Sequence, residues 1–299
     1  SAAAHQLDAQ LHRPSLTRTS NVAASRPAVA QTLEDRARAN ASPQIEPELE
    51  AMQRARAEVA AWTRRTIAGD ASPQSSLQQE LALADRLERA GDIDGARAVL
   101  AAAARATEDA PHRGLAVANR RLGLELAFDP RAALEEALES IRRLQPRVPK
   151  GERFLHGQAL FLETEAQLAL GSIDRSKASR RLLDQGRQLT SSDDARAVSL
   201  AERLLLKGAL LAEPDVAGET ARQLWSSEDT EPEIAAAAGL LLAGVALERG
   251  DPEGAARQVL AVQARLPDTK AVKGLGRDPR FGRLVDDSGR LRPAAGDLG

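Results

Sequence analysis

His5, His12, His112 and His156 are the only imidazoles in the chain, and there is no cysteine. A zinc site needs three or four converging ligands, usually with two close together on one element. His5 and His12 fall in a polar N-terminal stretch, while His112 and His156 open separate predicted helices, so no metal is expected. Gly274-Leu275-Gly276 begins like a dinucleotide-binding loop, but Pro279 fills the slot of the third glycine. Such a loop needs a strand before it and a helix after it. No strand pattern precedes this one, so it reads as a plain loop and no cofactor is expected. The acidic neighbours Glu135-Glu136 and Asp193-Asp194 cannot form an acid–base pair, because adjacent helical residues do not face each other. Asp193 and Asp194 instead suit the start of a helix. With no GxxxxGK[ST], GxSxG or HExxH pattern in the chain, the expectation is a protein that is not an enzyme.

Arginines recur in pairs at Arg64-Arg65, Arg120-Arg121, Arg142-Arg143 and Arg180-Arg181. These could line a basic groove, or they could be solvated helix faces paired with acids one turn away, as Glu139 would be with Arg143. The 41 basic residues are balanced by 43 acidic ones, for a net charge of −2. A nucleic-acid binder built on phosphate contacts carries a basic excess, so the solvated-face reading is favoured and no nucleic-acid partner is expected. Trp62 and Trp225 are the only indoles. Trp225 reads as core filling, and Trp62 as a candidate contact residue on a helix outside the regular pattern.

The residues that must position these groups are overwhelmingly helix formers. Hydrophobic content is 42% with only 2% aromatic, so Ala and Leu dominate and an all-α protein follows. No apolar run approaches the ~20 residues that span a bilayer, so no membrane span is expected. Ser1, followed by three alanines, suits either a signal-peptidase product or a cloning boundary. A periplasmic or envelope location and a cytoplasmic one are both left open.

Residues 1–46 are polar and interrupted by Pro14, Pro27 and Pro43, and read as a disordered or extended N-terminal arm. Residues 47–75 hold one helix and a linker. From Ser76 the pattern becomes regular. Turns near Gly91, Asp129, Gly171, Pro214 and Gly250 recur about every 40 residues, implying about five helix-turn-helix units over 76–267. Predicted helices are 77–90, 94–107, 112–128, 130–144, 152–170, 174–189, 194–212, 215–225, 232–249 and 252–266. Pro130 takes a first helical position after Asp129. The 268–299 segment is read as a capping segment and tail in which Leu275, Phe281, Leu284 and Val285 cover the last hairpin.

The residues at the small and apolar slots of these hairpins resemble tetratricopeptide repeats. Leu83, Ala84, Ala96, Leu100 and Ala103 fit in the first unit, and Leu242, Ala243, Ala255, Val259, Val262 and Pro267 in the last. The middle units depart from the pattern, the third offering Thr164, Ser176 and Arg180, and HEAT-like or irregular α-solenoids remain alternatives. Gly276 to Leu284 is similar to an Asp-Pro-Arg-Phe ending that follows such arrays in large bacterial proteins. The resemblance implies a right-handed α-solenoid and a non-enzymatic scaffold that binds a protein partner or a multi-subunit assembly. The first helix of each unit would supply contact residues such as Arg86, Asn119, Arg120, Gln158, Glu165, Gln167, Arg203 and Lys207. A regulatory or sensor region of a larger bacterial protein, and a processed envelope-assembly subunit, are the alternatives.

Overall fold

A computed structural model describes residues 73–128, 131–282, 284–286 and 288–290. The predicted arm, the helix carrying Trp62 and Arg64-Arg65, the Asp129-Pro130 cap and the last residues of the tail lie outside the described residues. Within them the chain is all helical, with no β-strand.

Two compact units are described, dividing at Val148 and Pro149. The first holds α1 (Pro73–Arg89), α2 (Ile93–Ala106), α3 (Pro111–Phe128), α4 (Arg131–Leu144) and a 3-10 turn, Gln145–Arg147. The second holds α5 (Arg153–Ala169), α6 (Arg175–Leu189), α7 (Ala195–Leu211), α8 (Pro214–Ser226), α9 (Pro232–Glu248) and α10 (Pro252–Arg265). A short helix α11 (Lys270–Lys273) and a 3-10 turn (Leu275–Arg277) close it. Each of the ten helices drafted between 77 and 266 is present among the described residues, with boundaries shifted by a few residues. The largest shift is at α1, which begins at Pro73 rather than Leu77. The Gly274 to Arg277 loop tightens into the 3-10 turn, which periodicity does not reveal in so short a segment.

Three turns share one geometry. Gly91, Gly171 and Gly250 adopt φ of 76°, 70° and 76°, the left-handed region where a side chain costs energy. After each helix the glycine N–H and the following N–H bond back to carbonyls of the last turn. Gly91 donates to Glu88 O and Asp92 to Leu87 O; Gly171 donates to Leu168 O and Ser172 to Gln167 O; Gly250 donates to Leu247 O and Asp251 to Ala246 O. This Schellman closure satisfies carbonyls the helix leaves open. An aspartate then caps the next helix: Asp92 accepts from Gly95 N at 3.0 Å, Asp174 from Lys177 N at 2.7 Å and Asp251 from Gly254 N at 2.7 Å. The α7–α8 turn works differently. Ala212 and Glu213 are extended and Pro214 takes the first helical position, with no side-chain cap. Of the two aspartates expected to start α7, Asp194 is the N-cap.

Within each unit, consecutive helices pack on one another, and first helices also touch the next first helix: α1 with α3, α5 with α7, and α7 with α9. The first unit closes around Leu83, Leu87, Leu100, Val117 and Leu124. In the second, α9 is apolar on all sides and buried from Ile234 to Leu241, as a helix surrounded by neighbours should be. Its far side meets Leu275, Phe281 and Val285, which are buried against Ala243, Ala255 and Val259. Glycines bring α6 and α7 together. A Cβ on Gly208 would lie 2.7 Å from Leu183 Cγ and 3.1 Å from the Leu183 backbone nitrogen, while Ser179 Oγ donates to Gly208 O at 2.8 Å.

The same chemical change should therefore have opposite signs at two sites. Gly208→Ala has to push α6 away, at about 1–3 kcal/mol, more than the roughly 1 kcal/mol alanine gains as a helix former. At Gly218 the nearest atom to a new Cβ is Val245 Cγ1 at 3.6 Å, an ordinary contact, so Gly218→Ala should hold or raise stability. Urea unfolding of both variants checks the pair of signs.

Candidate interaction surface

The polar side chains of the first helices divide into groups that hold neighbouring helices and groups that face solvent. Arg120 on α3 reaches back to α1 and pairs with both Asp85 and Glu88. Its side chain is only 24% exposed. Asn119 beside it is buried. Glu165 on α5 and Lys207 on α7 form an ion pair of 2.7 Å with side-chain exposures of 13% and 7%. Gln167 on α5 accepts from Arg181 Nη1 at 2.7 Å and donates to Glu163 Oε1 at 3.1 Å, and Arg181 also pairs with Glu163 at 3.6 Å. Gln158 is half-buried on α5. Arg86 on α1 and Arg203 on α7 are exposed, Arg203 lying 3.5 Å from Glu231. Of the nine candidates, Trp62 is outside the described residues, and Glu165 and Lys207 are brought together.

The described arginine pairs divide: Arg142, Arg143 and Arg180 are exposed, as a solvated face would have them, while Arg120, Arg121 and Arg181 are partly buried. Arg120 and Arg181 reach other helices rather than acids one turn away, and Arg121 meets Glu136 on α4 at 2.9 Å. Among the described residues Arg143 forms no ion pair within 4.0 Å, with Glu139 or any other acid. A further cross-helix pair was invisible in sequence: Arg97 on α2 grips the buried Glu125 of α3, with Nε at 3.0 Å from Oε1 and Nη2 at 2.7 Å from Oε2. Trp225 packs among apolar residues, and Arg265 lies over its ring at 4.6 Å.

No group of three or more metal-ligating side chains occurs among the described residues. His112 is exposed, and His156 Nε2 donates to Pro149 O at 3.1 Å. No helix among them is long and apolar enough to cross a membrane. Charged side chains stand on α1, α3, α5 and α7, with the exposed guanidiniums of Arg86 and Arg203 among them.

Glu202 on α7 sits among other carboxylates at the start of α9. Its carboxylate accepts the Glu231 N–H at 3.1 Å, an open donor at the start of α9. Burial, reinforced by the carboxylates of Glu231 and Asp229, pushes Glu202 above the ordinary carboxylate range, while the Glu231 N–H and Arg203 oppose the shift.

Two measurements test these electrostatics. A carboxyl group whose folded-state affinity for protons is raised adds stability at low pH that disappears as pH rises through its folded value. Glu202→Gln keeps an acceptor for the Glu231 N–H and removes the charge. Its melting midpoint should therefore pull ahead of the parent as pH rises from 4 to 7, in scanning calorimetry. For the buried pair, Lys207→Met or Glu165→Leu alone strands a charge and should cost about 3–5 kcal/mol, whereas the double variant should recover most of that loss.

No family model, curated protein or solved structure matches this chain.

Proposed function

We propose that each unit is a short stack of tetratricopeptide-like hairpins and that the protein is a scaffold binding a protein partner through the polar face of its first helices. The observation that carries this reading is the contact of each first helix with the next in its own unit, α1 with α3, α5 with α7, and α7 with α9. First helices in such a row form one broad continuous surface, which suits an extended segment or a helix of another protein. The glycine–aspartate turn supports the same reading, because it closes three of the hairpins, α1–α2, α5–α6 and α9–α10, in the same way.

Within that surface the roles separate by burial. Arg120, Glu165, Gln167 and Lys207 are held by neighbouring helices and keep the surface in shape. Arg86 and Arg203 are exposed and carry contact with an acidic or mixed partner. No part of this reading requires catalysis.

Affinity capture of the full chain from its native cells, followed by mass spectrometry, is the test. A specific protein partner should be retained, and Arg86→Glu together with Arg203→Glu should reduce its retention while leaving the helical circular-dichroism signal that of the parent. Retention of no protein above a bead control, or full retention by the charge-reversed variant, would count against the surface assigned here.

A further inference from the structure

A pocket of about 400 Å³ opens in the first unit, where α2, the α2–α3 turn, α3 and α4 meet. That size lies in the range of small-ligand sites. Its apolar wall includes Val117, Ala118 and Leu144, all buried. Its charges are sorted by element. Glu108 and Asp109 come from the α2–α3 turn, while Arg143 and Arg147 come from α4 and the 3-10 turn that follows it. All four are exposed, and among the described residues none of them forms an ion pair within 4.0 Å.

Opposite charges lining one small space ordinarily close on each other. Here separate backbone elements hold them apart, with an apolar wall along the same space. The neighbouring groups reinforce the polarity. Arg121 also lines the pocket and is steadied by Glu136 at 2.9 Å. The hydroxyls of Thr107 and Ser140 spend their hydrogens on backbone carbonyls, Thr107 on Ala103 O at 2.8 Å and Ser140 on Glu136 O at 3.1 Å. Each hydroxyl is left with acceptor capacity only. A simple anion would meet the guanidiniums but be repelled by two carboxylates. A simple cation would meet the reverse. A ligand with an anion at one end and an ammonium at the other satisfies both sets.

We infer that this pocket binds a small zwitterion of the amino-acid class. Its carboxylate lies on Arg143 and Arg147, its ammonium on Glu108 and Asp109, and its carbon spine against Val117, Ala118 and Leu144. Bidentate guanidinium–carboxylate contacts would supply most of the orientation.

The test is calorimetric titration and thermal shift of the full chain with glycine, β-alanine, 4-aminobutyrate, 5-aminopentanoate and 6-aminohexanoate. Butyrate, butylamine and inorganic phosphate serve as single-charge controls. At least one member of the series should raise the melting midpoint in a concentration-dependent way, and the controls should bind at least about tenfold more weakly. Arg143→Gln and Asp109→Asn alter exposed side chains, so the ligand-free midpoint should stay put while affinity falls about tenfold or more in each, the size of one charge-assisted hydrogen bond. Absence of binding across the series, equal binding of a single-charge control, or unchanged affinity in both variants would overturn the assignment.

Discussion

The structure depends on how its hairpins turn. A helix ends with carbonyls that have no partner and the next begins with open N–H groups. In a turn of a few residues both sets have to be satisfied while the chain reverses. At Gly91, Gly171 and Gly250 a left-handed glycine lets two N–H groups return to the outgoing helix, and the aspartate shortly after it caps the incoming one. With the reversal fixed, the two helices run antiparallel at a set offset, and small side chains at the contact determine how near they come. Ala96 and Ala255 are fully buried at equivalent positions after the first and last of these turns.

Polar groups then act on helices already placed by the turns. The ties between first helices, Arg120 to Asp85 and Glu88 and Lys207 to Glu165, join helices that packing alone could let slide. A buried ion pair adds little net stability over an apolar substitute, but it penalises any register in which the charges part. Glu202 shows the cost of the same strategy: it satisfies the first N–H of α9 at the expense of crowding carboxylates.

The fold was legible where local chemistry decides it. Helix ends were marked by Gly, Asp and Pro, and the helices drafted between 77 and 266 are found within a few residues of their expected bounds. The long-range partners were not legible. Arg120 lies 35 residues from Asp85 and 32 from Glu88, and Glu139 next to Arg143 in helical spacing suggested a pair that does not form. Asn119 looked like a surface residue by type and is buried, because its position on α3 faces neighbouring helices. The pocket in the first unit escaped notice for a similar reason. Its carboxylates and guanidiniums sit far apart along the chain, and only the packing of α2, α3 and α4 brings them to one space. A surface exposing Arg86 and Arg203 could be anticipated by residue type, but which polar residues stay exposed is decided by tertiary contacts.

The most direct test of this account replaces each turn glycine in separate variants with alanine and with asparagine, followed by urea unfolding. A Cβ at Gly91, Gly171 or Gly250 would meet nothing within 4 Å, so any loss reports backbone conformation alone. If the left-handed turn is what sets the hairpins, each alanine should cost about 1–2 kcal/mol and each asparagine, which tolerates that conformation, visibly less. Alanine variants as stable as the parent at all three turns would contradict it, and would mean that packing places the helices whatever the turn between them does.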